Sequence, residues 1–319
     1  MKSLLFYYLA RAVICAVGLI PRAVAVPAIR ALAFLFYYVD ARHRHIARVN
    51  LKIAFPEKSE GERSAIARRS FQNTAMNLVE VSRISRLNNS NISSLVQYDS
   101  QAGLNNYRAA RAKGKGILYL TGHFSSWELL PIAHALYGYP LSFVTRPLDN
   151  AILDRYFESL RESKGNRVIH KKDSARTILK RLKENGTVGI LMDQNTSLLE
   201  GVFADLFGLP AATTTGMVLF ALRTGAPILP GYLTPLRNGR YTIKFLPPVE
   251  VTRTGDRVSD VESNTRRLNA VIEGIIREQP DSWLWGHKRW KYQPPGNPQD
   301  LYSLTENDLD LFLKRVSIT

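Results

Sequence analysis

From about residue 116 onward the chain alternates between short apolar runs and longer amphipathic ones. Gly116-Ile117-Leu118-Tyr119-Leu120-Thr121 is apolar almost throughout, shows no polar alternation and begins at a glycine, as suits a strand buried on both faces. Leu129, Leu130, Ile132, Ala133 and Leu136 then recur at helical spacing. The alternation continues, with strands predicted at 116–121, 140–145, 167–170, 187–192, 226–234 and 240–247 and helices at 125–137, 149–164, 174–185, 213–224 and 260–279. Strands alternating with helices predict an α/β fold: a mixed, mainly parallel central sheet flanked by helices, with ligands gathered at the carboxyl ends of the strands.

Upstream the pattern differs. Residues 3–39 are rich in Leu, Phe, Tyr, Ala, Val and Ile, but Arg11, Pro21, Arg22, Pro27 and Arg30 break them up. No apolar run reaches the ~18 residues of a spanning helix. The pattern predicts two membrane-associated helices, 3–19 and 24–39, entering one leaflet with their arginines reaching back to the headgroups. A single tilted span and a hairpin packed on the domain itself are the alternatives. Arg42, Arg44 and Arg48, with His43 and His45 among them, follow directly and favour the cytoplasmic side. The expected division is a helical membrane anchor over 1–45 and an α/β domain over 46–319. Within the latter, Ser59-Glu60-Gly61-Glu62 reads as a capping box opening a helix that runs to Val81.

Composition changes this picture in two respects. The 43 Lys and Arg against 27 Asp and Glu give a formal net charge of +16, which calls for an anionic partner: nucleic acid, an acidic protein or an anionic membrane surface. No helix-turn-helix, zinc-finger spacing or RNA-recognition signature accompanies the charge, so nucleic acid is not expected. Cys15 is the single cysteine, which excludes a disulfide framework and a cysteine metal site.

Candidate chemistry concentrates at strand ends. Gly122-His123-Phe124-Ser125-Ser126-Trp127-Glu128 places an imidazole in the turn after the first strand and a carboxylate one turn into the helix. Folded back, His123 could donate from one ring nitrogen to Glu128 and keep the other free to take a proton from a substrate hydroxyl. Ser125-x-x-Glu128 is equally a capping box, in which Glu128 only satisfies a backbone N–H. Two further strands end at Thr145-Arg146-Pro147 and at Met192-Asp193-Gln194-Asn195, bringing a guanidinium and a second carboxylate toward the same edge. No nucleophile elbow, Walker A loop or His-Glu-x-x-His competes. His134 reads as a structural residue and His170, beside Lys171 and Lys172, as solvated. Trp283, Trp285 and Trp290 stand among His287, Lys288, Arg289 and Lys291, which suits a membrane interface, an anionic partner or the end of the core.

His123-x-x-x-x-Glu128 after a buried strand resembles the HX4D/E motif of the glycerolipid acyltransferase superfamily. More narrowly, the chain resembles the late acyltransferases of lipid A biosynthesis, the lauroyl and myristoyl transferase group. The resemblance rests on an ordered set: Asn50-Leu51, Phe55-Pro56-Glu57, His123-Phe124, Trp127-Glu128, Val144-Thr145-Arg146-Pro147 with Asn150 and Leu153-Asp154, Asp193-Gln194, Phe207-Gly208, and Trp283 to Pro295-Gly296. It implies a transferase of lipopolysaccharide biosynthesis at the cytoplasmic face of the bacterial inner membrane. Such an enzyme moves a fatty acyl chain from an acyl thioester, acyl carrier protein or acyl-CoA, to a hydroxyl of a membrane glycolipid such as a lipid A precursor, with no cofactor or metal. By this resemblance His123 would be the general base and Glu128 its partner, with Arg146, Asp193, Gln194, Trp127 and Ser126 around the substrates. Ser125-Ser126 stands where a Gly and a polar residue are common, and Leu206 where a second Phe often precedes Phe-Gly. These departures leave the acceptor open. Acyl-CoA-dependent acylation of another glycolipid such as a phosphatidylinositol mannoside, a thioesterase that admits water, and a non-catalytic basic membrane-surface protein are the competing readings.

Overall fold

The computed structural model describes residues 2–170, 174–298 and 300–316. Lys171 and Lys172 lie outside them; His170 is exposed and pairs with Glu158 at 3.2 Å. The apolar N-terminal stretch forms α1 (Lys2–Leu19) and α2 (Arg22–Val39), divided at Pro21. Leu4, Leu5, Phe6 and Leu9 on α1 and Leu32, Leu35 and Phe36 on α2 are exposed, whereas Ala25, Ala33 and Tyr37 on α2 are buried. An exposed apolar surface of this extent marks a place for a bilayer or an apolar partner. By length and composition α2 is long and apolar enough to cross a membrane.

The helix α3 (Ala41–Ala54) leads into α4 (Glu60–Val81), which opens with the predicted capping box: Ser59 Oγ accepts the Glu62 N–H at 3.3 Å and Glu62 Oε2 accepts the Ser59 N–H at 2.8 Å. The hairpin packs on α4, with Val17 and Ala25 against Met76 and Val79. Polar contacts fix it there. Just past α4, Arg83 donates to the carbonyls of Val17 and Ile20 and Arg86 to that of Gly18, satisfying acceptors that a helix end leaves open. Arg22 pairs with the buried Glu80 at 2.7 Å.

After β1 (Val96–Tyr98) and α5 (Gln101–Ala112) the predicted alternation sets in: β2 (Ile117–Thr121), α6 (Leu129–Leu136), β3 (Ser142–Thr145), α7 (Ala151–Glu162), β4 (Arg167–His170), α8 (Ser174–Lys183) and β5 (Thr187–Leu191). A hairpin of β6 (Gly201–Leu206) and β7 (Leu209–Thr214) follows, then α9 (Gly216–Thr224), β8 (Ile228–Pro235), β9 (Tyr241–Phe245), α10 (Arg257–Glu278) and α11 (Glu306–Val316). The seven-stranded sheet runs β1-β9-β8-β2-β5-β3-β4, parallel except where β8 meets β9. The fold is thus the mixed, mainly parallel α/β sheet the pattern predicts. The helix predicted from 213 begins at Gly216, because Thr213 and Thr214 complete β7. That hairpin turns at Phe207 (φ 56°) and Gly208 (φ 74°), without the Asn-Gly or Asp-Gly pair that would announce it.

Trp283, Trp285 and Trp290 are all buried. Of the readings open to that cluster, the structure selects the end of the core.

Candidate active site

In the parallel register of β2 and β5, Thr121 stands beside Leu191. Two residues beyond the strand ends, His123 therefore meets Asp193. Asp193 Oδ1 lies 3.0 Å from His123 Nδ1, while its Oδ2 accepts the His123 backbone N–H at 2.8 Å and the Trp283 indole N–H at 2.7 Å. Three donors on one carboxylate fix its plane. Gly122 makes the approach possible: a Cβ there would fall 2.8 Å from Asp193 Cγ and 2.9 Å from the Phe124 ring.

Burial by itself would push the Asp193 carboxyl up. The His123 charge and the hydrogen bonds from His123 and Trp283 outweigh it and bring the group down to about 2. Burial would likewise lower the His123 imidazole; the Asp193 charge and hydrogen bond, with a smaller contribution from Glu128, outweigh it and raise the group. With Nδ1 held by Asp193, Nε2 is the atom available to take a proton. The side chain keeps 21% of its surface exposed. Gln194 places its amide nitrogen 3.5 Å from Nε2, and the Trp127 ring stands nearly edge-on to the imidazole with centroids 5.1 Å apart.

Glu128 does not make the expected hydrogen bond to His123. Arg161 of α7 holds it in a two-pronged pair, Nε to Oε2 at 2.9 Å and Nη2 to Oε1 at 2.6 Å. The alternative reading, Glu128 as the second member of a capping box, does not form either. Helix α6 begins at Leu129, so Glu128 stands at its entrance. Ser125 adopts a φ of 50°, sends its N–H to the Ser282 carbonyl at 2.6 Å and buries its hydroxyl without a partner among the described residues. Ser126, expected near substrate, is fully buried with its hydroxyl 3.1 Å from that of Tyr241; it faces the core because the turn rolls it inward. Arg146 lies exposed on the loop after β3, without a hydrogen bond or ion pair among the described residues.

An imidazole oriented by a buried carboxylate at the carboxyl ends of two central strands suits proton transfer to or from a hydroxyl. The family model described as bacterial lipid A biosynthesis acyltransferase matches residues 2–292. The chain belongs to this family. It is an acyltransferase. A lipid A biosynthesis lauroyltransferase of Escherichia coli (strain K12) is 28% identical over 259 residues, covering 81% of this chain and 82% of the relative. A lipid A biosynthesis palmitoleoyltransferase of the same strain is 27% identical, covering 80% and 81%, and a myristoyltransferase 23% identical, covering 82% and 80%.

Several residues that shape the candidate site carry no sequence signal of their place in it. Trp283 holds Asp193, yet its sequence neighbours suggest only an aromatic-basic cluster. Arg161 is one basic residue of an amphipathic helix. Asn77 of α4 bridges the turn from His123 to Glu128, donating to the Ser125 carbonyl at 2.8 Å and accepting the Glu128 N–H at 3.3 Å. His287 accepts the Asn195 N–H on Nε2 at 2.9 Å, and burial lowers its imidazole to about 4, so it is neutral near pH 7 and pins the loop that follows Asp193.

Proposed function

We propose that this acyltransferase carries a fatty acyl chain from an acyl thioester, with acyl carrier protein as donor, to a hydroxyl of a lipid A precursor at the cytoplasmic face of the bacterial inner membrane. The observation that carries the reading is the His123–Asp193 pair. Asp193 fixes the Nδ1–H tautomer and leaves Nε2 as the base. That nitrogen takes the acceptor hydroxyl's proton as the oxygen attacks the thioester carbonyl. The tetrahedral intermediate then expels the thiolate, which takes the proton back from the imidazolium, while Asp193 stabilises the cation in between. The N–H groups of His123, Ser125 and Glu128 are already engaged, by Asp193, the Ser282 carbonyl and Asn77. Arg146, exposed beyond β3 and without a hydrogen bond or ion pair among the described residues, is the group we assign to the developing oxyanion.

The acceptor follows from the relatives, whose names share lipid A and differ in the acyl chain. The exposed apolar faces of α1 and α2 support an anchor over 1–45 and a catalytic domain beyond it. Arg42, Arg44 and Arg48 support the cytoplasmic side, and the net charge of +16 an acidic donor protein. Purified enzyme supplied with acyl carrier protein thioester and a lipid A precursor should yield a lipid heavier by one acyl group in mass spectrometry. His123→Ala should lower the rate by about 100- to 10,000-fold while the protein still folds, as read by circular dichroism. Undiminished acylation by that variant, or free fatty acid formed in place of acylated lipid, contradicts the proposal.

A further inference from the structure

An open cavity of about 830 Å³ lies beside the catalytic turn, with α2 forming one wall. Arg30 of α2, Arg69 and Asn73 of α4, Arg237 in the turn after β8, and Asp281 and Ser282 beyond α10 all line it. We propose that this cavity binds the phosphate-bearing headgroup of a lipid, with Arg30 and Arg237 as its ligands. The inference deepens the function proposed above, since a phosphorylated glycolipid acceptor is one of two lipids that present such a group; the other is an anionic bilayer phospholipid.

The charges around the cavity do not balance. Asp281 accepts from Arg69 Nε at 2.9 Å. Glu278, also on the wall, accepts from the Tyr232 hydroxyl at 2.8 Å and from Lys244. Both acids are thus engaged by other partners. The guanidiniums of Arg30 and Arg237 make no hydrogen bond or ion pair among the described residues, and Arg30 Nε is buried with no partner. Phosphate oxygens match the planar fork of arginine, and these two guanidiniums have no counter-charge among the described residues to occupy it.

Size and setting point the same way. The volume lies in the ~300–1,000 Å³ range of pockets that enclose whole small ligands, which suits a headgroup better than a bare ion. Near Arg30, α2 turns Leu32, Leu35 and Phe36 outward, so a molecule with its head on Arg30 can keep its chains in an apolar phase along the helix. Arg237 is held within reach because Arg22 of α2 donates to the Gly239 carbonyl at 2.6 Å, pinning the β8–β9 turn against α2. The cavity also shares a wall with the catalytic pair: Ser282 receives the Ser125 N–H, and the next residue, Trp283, holds Asp193.

The test uses full-length Arg30→Gln/Arg237→Gln enzyme in neutral detergent micelles, with two readouts. The first compares KM for a phosphorylated acceptor with KM for the same acceptor after phosphatase treatment. The second measures binding to micelles doped with phosphatidylglycerol. Wild type should prefer the phosphorylated acceptor by tenfold or more, and the double variant should lose that preference while kcat and the donor KM stay unchanged. If acceptor preference persists but phosphatidylglycerol binding drops tenfold, the phosphate site stands and its occupant is a bilayer lipid. If neither readout moves, the site is overturned. Should wild type transfer no acyl group at all, the function proposed above fails, and the micelle-binding readout still decides the phosphate site.

Discussion

Two carboxylates lie near one imidazole, and the protein treats them in opposite ways. At the end of β5, Asp193 is buried, receives three hydrogen bonds and finds its counter-charge in His123 itself. At the entrance of α6, Glu128 is neutralised by the bidentate guanidinium of Arg161 and reaches His123 only as the smallest of the contributions that raise it. Proximity along the chain is therefore a poor guide to which acid orients a base. What counts is a carboxylate oxygen in line with Nδ1, and parallel strand register supplies it across 70 residues of sequence.

The sharpest way to break this contrast is to neutralise each acid in turn. Asp193→Asn keeps the shape and removes the anion that stabilises the imidazolium, so kcat should fall by about 100- to 10,000-fold, whereas Glu128→Gln should cost less than about tenfold in steady-state assays. Gly122→Ala attacks the same pair through space. Its methyl group would force Asp193 or Phe124 aside, lowering stability by about 1–3 kcal/mol and activity by at least about tenfold, as read by chemical denaturation and rate. For Glu128 the larger effect is structural. Glu128→Gln leaves a largely buried guanidinium unpaired, lowering stability by about 1–3 kcal/mol, and Glu128→Gln/Arg161→Gln should restore part of that loss in the same denaturation series. Ser125→Gly should have the smallest effect, relieving a left-handed backbone worth roughly 1–2 kcal/mol against about 0.5–1 kcal/mol of added chain entropy. A small rise in melting temperature is expected.

Much of this architecture is visible in the sequence. The unalternating run before Gly122 ends β2 where expected, and the 187–192 run places Asp193 just beyond β5. The capping box at Ser59 forms as written. What the sequence does not carry is strand order: β3 and β4 intervene in the chain, and only the fold seats β5 against β2. The same Ser-x-x-Glu pattern that opens α4 fails at Ser125, because that residue's N–H is taken by Ser282, 157 residues away. Local propensity cannot register a competitor so distant. The preference for glycine at position 125 in the resembled family also acquires a cause, since φ there is positive.

The pH dependence of kcat/KM tests most directly whether Asp193, and not Glu128, makes His123 the base. A base must be neutral to act, so the rate falls on the acid side through the imidazole's own titration, and Asp193 should hold that midpoint above the ordinary value of about 6.5. Asp193→Asn should move the midpoint down, because burial is then opposed only by the weaker Glu128 charge, while Glu128→Gln should move it only slightly. A midpoint that stays put in Asp193→Asn, or shifts further in Glu128→Gln, would contradict the assignment.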